Sequence, residues 1–393
     1  MLLPTHVSAL VALLPIIAAT PIHPPGDDID VSNRYIITLH PTANLTSHLS
    51  HVETLHLQTA AQQFEGLTHQ YTISSYQAYA GHFPPSLITT LKPHPDIASI
   101  EPDTIHTLTA LTKQDKAPYN LPLISHRGGG PDQSYWYDDT AGSGTYAYVI
   151  DSGIKISHLD FEHRASLGYT SLKNITHDDR AGHGTHVAGI IGSKTYGVAK
   201  KCNLISVKAF NYQYSSTATI LDAYNWAVND IITKKRQGKA VINTASSGPY
   251  SKAFNTAVDT AFSKGVTTVT GSGNDGQPAR SVSPASADGA ITVAATDSKR
   301  TRASFSGWGP SVTLFAPGVD IMSTWIGPET TEERTGTSMA AAHVAGVVLG
   351  LKKVRKLPDA KSTLEAVKQL ATKDLVGQPK GGHNLFCYNG SGK

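Results

Sequence analysis

Cysteine is nearly absent from this chain, with only Cys202 and Cys387 among 393 residues. Two thiols allow one bridge at most, so the fold must rest on a packed core and not on a disulfide framework. A bridge between them is allowed in an oxidising compartment, and two separate buried thiols are the alternative. Charged residues are also scarce, at 16% of the chain, which excludes a disordered or coiled-coil polymer. No run beyond residue 20 has the roughly 20 apolar residues that a membrane span needs. The tight basic runs are Lys234-Lys235-Arg236, Lys299-Arg300 and Lys352-Lys353, with no aromatic platform among them. They read as exposed helix ends or turns, so a nucleic-acid partner is not expected. No internal repeat and no long low-complexity segment is present.

The first 20 residues lack Asp, Glu, Lys and Arg altogether. An apolar stretch over residues 7–19 ends in the small residues Ala18, Ala19 and Thr20. It is shorter than a spanning helix and predicts an export signal over residues 1–20 that is cut off. The expectation is a soluble, monomeric, extracellular protein, with a vacuolar location as the alternative.

Charge and histidine divide the rest. Residues 21–109 carry 8 acidic and 2 basic side chains, a net of −6, while residues 110–393 carry 22 and 31, a net of +9. Nine of the 18 histidines fall in residues 23–106. Opposite charge favours docking of the two parts. Histidine gains charge as pH falls through about 6.5, which predicts weaker docking in acid.

After a Pro- and Asp-rich linker, residues 34–39 predict a strand, 47–64 a helix, 71–80 a strand, 87–91 a short helix and 97–105 a strand. This order implies a small α+β domain over residues 21–109. Residues 108–117 read as a surface connector. From residue 110 to 393, apolar strands at 145–150, 203–209, 240–245, 266–271, 290–294 and 312–316 alternate with helices. The helices fall at 183–192, 217–229, 255–264, 337–350 and 362–372. Alternation of this kind predicts an α/β fold, a mostly parallel sheet with helices on both faces. Functional residues are then expected at the carboxyl ends of strands, where Asp151 and Asn274 fall.

Three motifs carry chemistry: Val149-Ile150-Asp151-Ser152-Gly153, His183-Gly184-Thr185-His186 and Gly336-Thr337-Ser338-Met339-Ala340. A hydroxyl becomes a nucleophile when an imidazole takes its proton, and the imidazole needs a carboxylate to fix its tautomer. Ser338, His183 and Asp151 supply these groups, in a chain order of Asp, His, Ser. Each motif alone reads equally well as a turn, a helix-start histidine or a helix cap. Together, each in a matching strand or helix context, they predict acyl transfer. His186 invites a zinc reading as half of a His-x-x-His pair. No Glu lies inside the pair and spacing offers no third ligand, so a buried, hydrogen-bonded histidine is expected. His343 is read the same way, and no metal ligand is assigned.

On these motifs the chain resembles the subtilisin-like serine peptidases of the fungal proteinase K type, preceded by an inhibitory pro-domain. Supporting segments are Ala117-Pro118-Tyr119, Ser283-Pro284-Ala285-Ser286, Ser304-Phe305-Ser306, Ala316-Pro317-Gly318 and Ser323-Thr324-Trp325. Ile100-Glu101-Pro102-Asp103 resembles the end of the pro-domain. The resemblance implies an endopeptidase acting on proteins and peptides, made as a zymogen that removes its own pro-domain. It also implies that Asn274, in Gly271-Ser272-Gly273-Asn274, donates to the oxyanion together with the backbone N–H of Ser338.

The resemblance places substrate along Ala245-Ser246-Ser247-Gly248, pairing as an added strand, and against a pocket wall at Gly271-Ser272-Gly273. Gly and Ser in place of the family's alanines in that wall predict a broad pocket with one added polar group. Such a pocket still takes a large apolar or aromatic residue. Ala341-Ala342 replaces the family's Thr-Pro behind the nucleophile without disturbing a helix. The family's structural calcium uses an Asp in the strand at 312–315, where this chain has Thr313, with Asp288 the nearest substitute. No cofactor is required, and a structural calcium stays open as a doubtful alternative. Asn44, Asn174 and Asn389 open glycosylation acceptor tripeptides.

Two rival functions are set against the peptidase. An esterase or lipase places its serine in Gly-x-Ser-x-Gly with a different chain order, which this chain lacks. A non-catalytic binding protein on the same fold is opposed by the four filled catalytic positions.

Overall fold

A computed structural model describes residues 30–59, 63–103, 111–128 and 133–393. The export signal expected over residues 1–20 lies outside the described residues. The chain divides into two compact units, Met1–Leu108 and Thr109–Lys393.

The N-terminal unit comprises β1 (Arg34–Leu39), α1 (Leu45–Gln58), β2 (Gly66–Ile73), β3 (Tyr76–His82), α2 (Pro85–Leu91) and β4 (Ile97–Pro102). Its antiparallel sheet has the order β2-β3-β1-β4. Asn44 caps α1 by accepting from Ser47 N at 3.0 Å, as a helix start requires. Ile37, Leu49, Val52, Tyr79, Leu87 and Leu91 form the core between sheet and helices. The strand expected at 71–80 is a hairpin, because Ser74 takes a left-handed φ of 55° and reverses the chain. The hairpin supplies the fourth strand that sequence reading missed.

The C-terminal unit begins with β5 (Leu111–Gln114), α3 (Asn120–Ser125) and β6 (Tyr135–Asp138). Residues 111–114, expected as connector, pair with β6, Lys113 opposite Trp136. The core elements follow: β7 (Tyr146–Asp151), β8 (Ala165–Thr170), α4 (His183–Gly192), β9 (Asn203–Lys208), α5 (Thr217–Thr233), β10 (Ala240–Thr244), β11 (Gly248–Pro249), α6 (Lys252–Ser263) and β12 (Thr268–Gly271). The chain ends with β13 (Val282–Ser283), β14 (Ala290–Thr296), β15 (Leu314–Pro317), β16 (Ile321–Thr324), β17 (Thr331–Arg334), α7 (Thr337–Arg355), α8 (Ala360–Leu370), β18 (Thr372–Lys373) and β19 (Leu385–Phe386).

The main sheet has the order β18-β19-β15-β14-β12-β10-β7-β9-β8. Every neighbouring pair from β19 to β8 is parallel, and only β18 runs against its neighbour. Strands covered on both faces are buried throughout, as every residue of β10 and β14 is, because a helix layer lies on each side. The helix α7 is buried nearly all round through Val348 and Leu349, which makes it a core element and not a surface amphipath. It packs against β10, β12, β14 and α4. The core therefore fixes the start of α7 against the carboxyl ends of the central strands.

Cys202 and Cys387 are free and buried. Of the two alternatives open in the sequence, the structure has separate thiols.

Candidate active site

Parallel strands deliver their carboxyl ends to one edge, and each chemical group arrives there by its own route. Asp151 is the last residue of β7, and His183 is the first of α4. Ser338 is the second residue of α7. Asn274 follows β12 through Gly273, whose φ of 95° favours glycine. Gly184 permits the approach of α4 to β7. A Cβ there would lie 2.1 Å from Gly153 O and 3.1 Å from Asp151 Oδ1.

His183 Nδ1 lies 2.8 Å from Asp151 Oδ1 and 2.9 Å from Oδ2. A carboxylate only accepts, so Nδ1 carries the proton and Nε2 keeps its lone pair. Burial pushes the imidazole pKa down. The adjacent Asp151, by charge and by hydrogen bond, outweighs this and holds it above the ordinary histidine value. The ring is 38% exposed, so its desolvation is partial and the carboxylate dominates.

Asp179, four residues before His183, holds this arrangement and was missed in the sequence. It is 3% exposed. Its Oδ1 accepts from Ser152 Oγ, Ala181 N and Gly182 N at 2.8–3.0 Å. Its Oδ2 accepts from Thr185 N at 2.9 Å and Thr185 Oγ1 at 2.6 Å. Ser152 Oγ in turn accepts from Gly184 N at 3.0 Å. One carboxylate thus ties the turn after Asp151 to the first turn of α4. The buried Lys208 ammonium donates to Ser152 O and to Asp178 O from below.

Ser338 is 6% exposed, and its Oγ donates to Ala245 O at 2.8 Å. Among the described residues no hydrogen bond joins it to His183. The His183 imidazole and the Asp151 carboxylate are therefore engaged while the Ser338 hydroxyl faces the strand end of β10. Catalytic hydrogen bonds of this kind commonly tighten only when substrate binds.

Asn274 Oδ1 accepts from Thr337 N at 2.9 Å and Thr337 Oγ1 at 3.0 Å. The backbone N–H of Thr337 can only donate, so the oxygen faces it and Nδ2 is left to donate elsewhere.

A cleft of about 380 Å³ is lined by Asp151, His183, Asn274, Ser338, Ala245, Ser246 and Ser247. Gly248 lies outside this lining and pairs with Ser283 in a two-residue ladder. Gly271, Ser272 and Gly273 are outside it as well. Ser272 Oγ is buried against Ser306 Oγ at 3.3 Å and Gly307 O at 3.2 Å, so the polar group expected in the pocket wall faces the interior. Gly271 leaves no extra room in the cleft, since a Cβ there would meet Thr337 Oγ1 at 2.7 Å. Phe210, Tyr212, Trp325 and Arg334 also line the cleft, with Ala181 and Gln213, and were not singled out as site residues in the sequence. Arg334 stacks on Trp325 at 4.5 Å. Trp325 lies in Ser323-Thr324-Trp325, a segment that supports the family resemblance; Phe210, Tyr212 and Arg334 stand in no recognised motif.

The two other histidines near the site are structural in geometry. His186 Nε2 contacts Ile321 O and Glu332 O at 3.0 Å, and burial lowers its pKa to about 4. His343 contacts Met339 O at 2.8 Å and Asn120 Nδ2 at 2.7 Å, and burial likewise lowers its pKa to about 4. Thr313, at the position considered for calcium, uses its Oγ1 to accept from Thr292 N at 3.1 Å. The adjoining cavity of about 120 Å³ is lined by one carboxylate, Asp288, and also by Lys368 and His383. That donor set does not fit a calcium cage, which needs several oxygen ligands and no ammonium.

Residues 142–386 match the subtilase family, and residues 34–109 match the peptidase inhibitor I9 family. The chain is 44% identical over 391 residues to alkaline protease 1 of Emericella nidulans, covering 97% of this chain and 96% of that protein. It is 45% identical over 376 residues to the alkaline proteinase of Hapsidospora chrysogena, covering 92% and 93%. A crystal structure of a cold adapted subtilisin-like serine proteinase superposes with a TM-score of 0.66 at 33% identity, covering 70% of this chain and 99% of that one. The chain belongs to the subtilase family: it is a subtilisin-like serine endopeptidase, made as a zymogen whose N-terminal I9 domain is its own inhibitor.

Proposed function

We propose that Ser338, His183, Asp151 and Asn274 carry the peptidase reaction, on a proteinase K-type scaffold that removes its own pro-domain. The observation that carries this is the pair of short contacts from His183 Nδ1 to both Asp151 oxygens. Substrate entering the cleft turns the Ser338 hydroxyl from Ala245 O toward His183 Nε2. Nε2 takes the proton as Oγ bonds to the scissile carbonyl carbon. The carbonyl oxygen becomes an oxyanion that accepts from Asn274 Nδ2 and Ser338 N–H. The C–N bond then breaks as the proton passes from Nε2 to the leaving amine. Water repeats the sequence to free the acid and restore Ser338.

The substrate backbone runs along Ala245, Ser246 and Ser247, whose strand ends at the cleft. The aromatic lining from Phe210, Tyr212 and Trp325 favours large apolar or aromatic side chains, within a broad specificity. The cavity beside Thr313 and Asp288, lined also by Lys368 and His383, does not supply a calcium cage. The enzyme acts outside the cell after loss of residues 1–20. Asn174 is exposed and free to carry a glycan. Asn389 donates its Nδ2 to Trp136 O at 2.7 Å and is committed internally.

The test is casein degradation by the full-length product, its loss on treatment with a serine-directed sulfonyl fluoride, and its loss in Ser338→Ala. Ser338→Ala is expected to remain an uncut precursor. Normal maturation of the purified variant, with no other protease present, would overturn self-processing.

A further inference from the structure

Five lysines converge at the end of the sheet away from the active site. A cavity of about 470 Å³ is lined by Lys235, Lys239, Lys352, Lys353 and Lys356. Its floor includes Thr145 and Lys239, the residues before β7 and β10. Asp151 ends β7 and Ala245 follows β10, so the cavity and the cleft lie at opposite ends of the same two strands. A six-residue strand separates them by about 20 Å.

No carboxylate among the described residues lines this cavity. Among the described residues none of the five lysines forms an ion pair, whereas the neighbouring Lys234 is paired with Asp230 at 2.7 Å. Asp359 is the nearby acid that acts on Lys352, and its carboxylate caps α8 by accepting from Ser362 N at 2.8 Å. Lys352 is 3% exposed, and its ammonium has a single partner, Gln237 O at 2.7 Å. Burial lowers its pKa to about 8, so the group remains charged at neutral pH. A buried cation with one neutral acceptor favours a bound anion.

Helix ends account for part of this charge. α5 and α7 both finish here, and lysines complement the free carbonyls of a last turn. That account does not cover Lys239, which precedes a strand. It also does not explain why four exposed lysines and one buried one face a single concavity.

We propose that this cavity is an anchoring site for an anionic polysaccharide, taking its carboxylate or sulfate groups. A concave site without stacking aromatics suits an acidic sugar better than a nucleic acid strand, whose bases need aromatic platforms. Attachment at this end leaves the catalytic cleft facing outward, so a retained enzyme keeps its activity.

The experiment measures retention of the processed enzyme on immobilised polygalacturonate and immobilised dextran sulfate across a salt series. It compares K235Q/K239Q/K353Q/K356Q with K173Q/K252Q/K299Q/K373Q, which removes the same charge from exposed lysines outside the cavity. The cavity variant is expected to lose at least tenfold in affinity. Its log-affinity against log-salt slope should fall by about 3, through fewer released counterions. The control should change less than threefold, and both variants should cleave a small chromogenic peptide at the parent rate. The matrix that shows the larger loss identifies the preferred anion. Equal losses in the two variants would mean general charge attraction and would overturn the site. Tighter binding to single-stranded DNA than to either polysaccharide would overturn the ligand class.

Discussion

The side-chain oxygen of Asn274 accepts from the backbone N–H of Thr337, the residue before Ser338, at 2.9 Å. This contact fixes the amide so that Nδ2 cannot be exchanged with Oδ1 by a flip. Asn274→Ala is expected to lower kcat by about 10²–10³, a magnitude established for the equivalent donor in subtilisin itself. KM should change little, because the donor acts on charge that forms only in the transition state. Steady-state kinetics on a peptide substrate decide this, and an unchanged kcat would reduce Asn274 to a support for the turn.

Asp179 receives five hydrogen bonds that join the Asp151 turn to α4. Asp179→Ala strands these donors in a buried site and should cost about 2–4 kcal/mol of stability. Asp179→Asn keeps an oxygen for three of them and should cost less. Both should lower kcat more than they raise KM, since His183 loses its fixed place. Thermal unfolding with kinetics on the same samples checks both parts. An Asp179→Asn enzyme with parent stability and parent kcat would contradict the positioning role.

The pH dependence follows from His183. On the proposed assignment only the neutral imidazole accepts the Ser338 proton, so activity is expected to fall as pH drops through its raised pKa. The acid limb of kcat/KM should therefore lie above the ordinary histidine value of about 6.5. The positive charge of Arg334 opposes protonation of His183. Arg334→Gln should move the limb to higher pH. A limb at or below the ordinary value, or a downward shift in the variant, would contradict the assignment.

The N-terminal unit has its own titrating group. His48 is 2% exposed and packs among Asp96, His94, His51 and Tyr79. Burial lowers its pKa, with the Asp96 hydrogen bond opposing and the His94 charge adding. The unfolded state therefore binds this proton more readily. The stability His48 confers is present above the ordinary histidine value and is lost as pH falls below it. Hydrogen exchange of residues 34–102 in the Ser338→Ala precursor, corrected for intrinsic rates, should show easier opening at about pH 5.5 than at about pH 7.5. His48→Gln should remove part of that difference. Identical opening at both pH values would rule the effect out.

The sequence exposes this site well where chemistry and strand ends coincide. Asp151, His183 and Ser338 each stand at an element boundary with a recognisable local pattern. The helix at 183–192 was placed to the residue. Turns built from ordinary residues were harder. Ser74 reverses the chain without Gly, Pro or Asn, so β2 and β3 read as one strand. The edge strand β8 carries Gly168 and exposed Leu167, and it lacks the buried apolar run that marks its neighbours. The polar β17 hides Arg334 in the same way. The direction of Ser272 depends on Ser306 and Gly307, more than 30 residues away, and no local pattern carries that information.

The two thiols have a consequence for the lifetime of the enzyme. Cys202 and Cys387 stay unlinked, so no covalent tie holds a molecule together once it opens. In a solution of active copies, an opened chain is itself a substrate for its neighbours. Loss is then irreversible, and survival is set by how rarely a molecule unfolds. Reductants in the surroundings leave that rate untouched. The packed core around α7 is what holds that rate down.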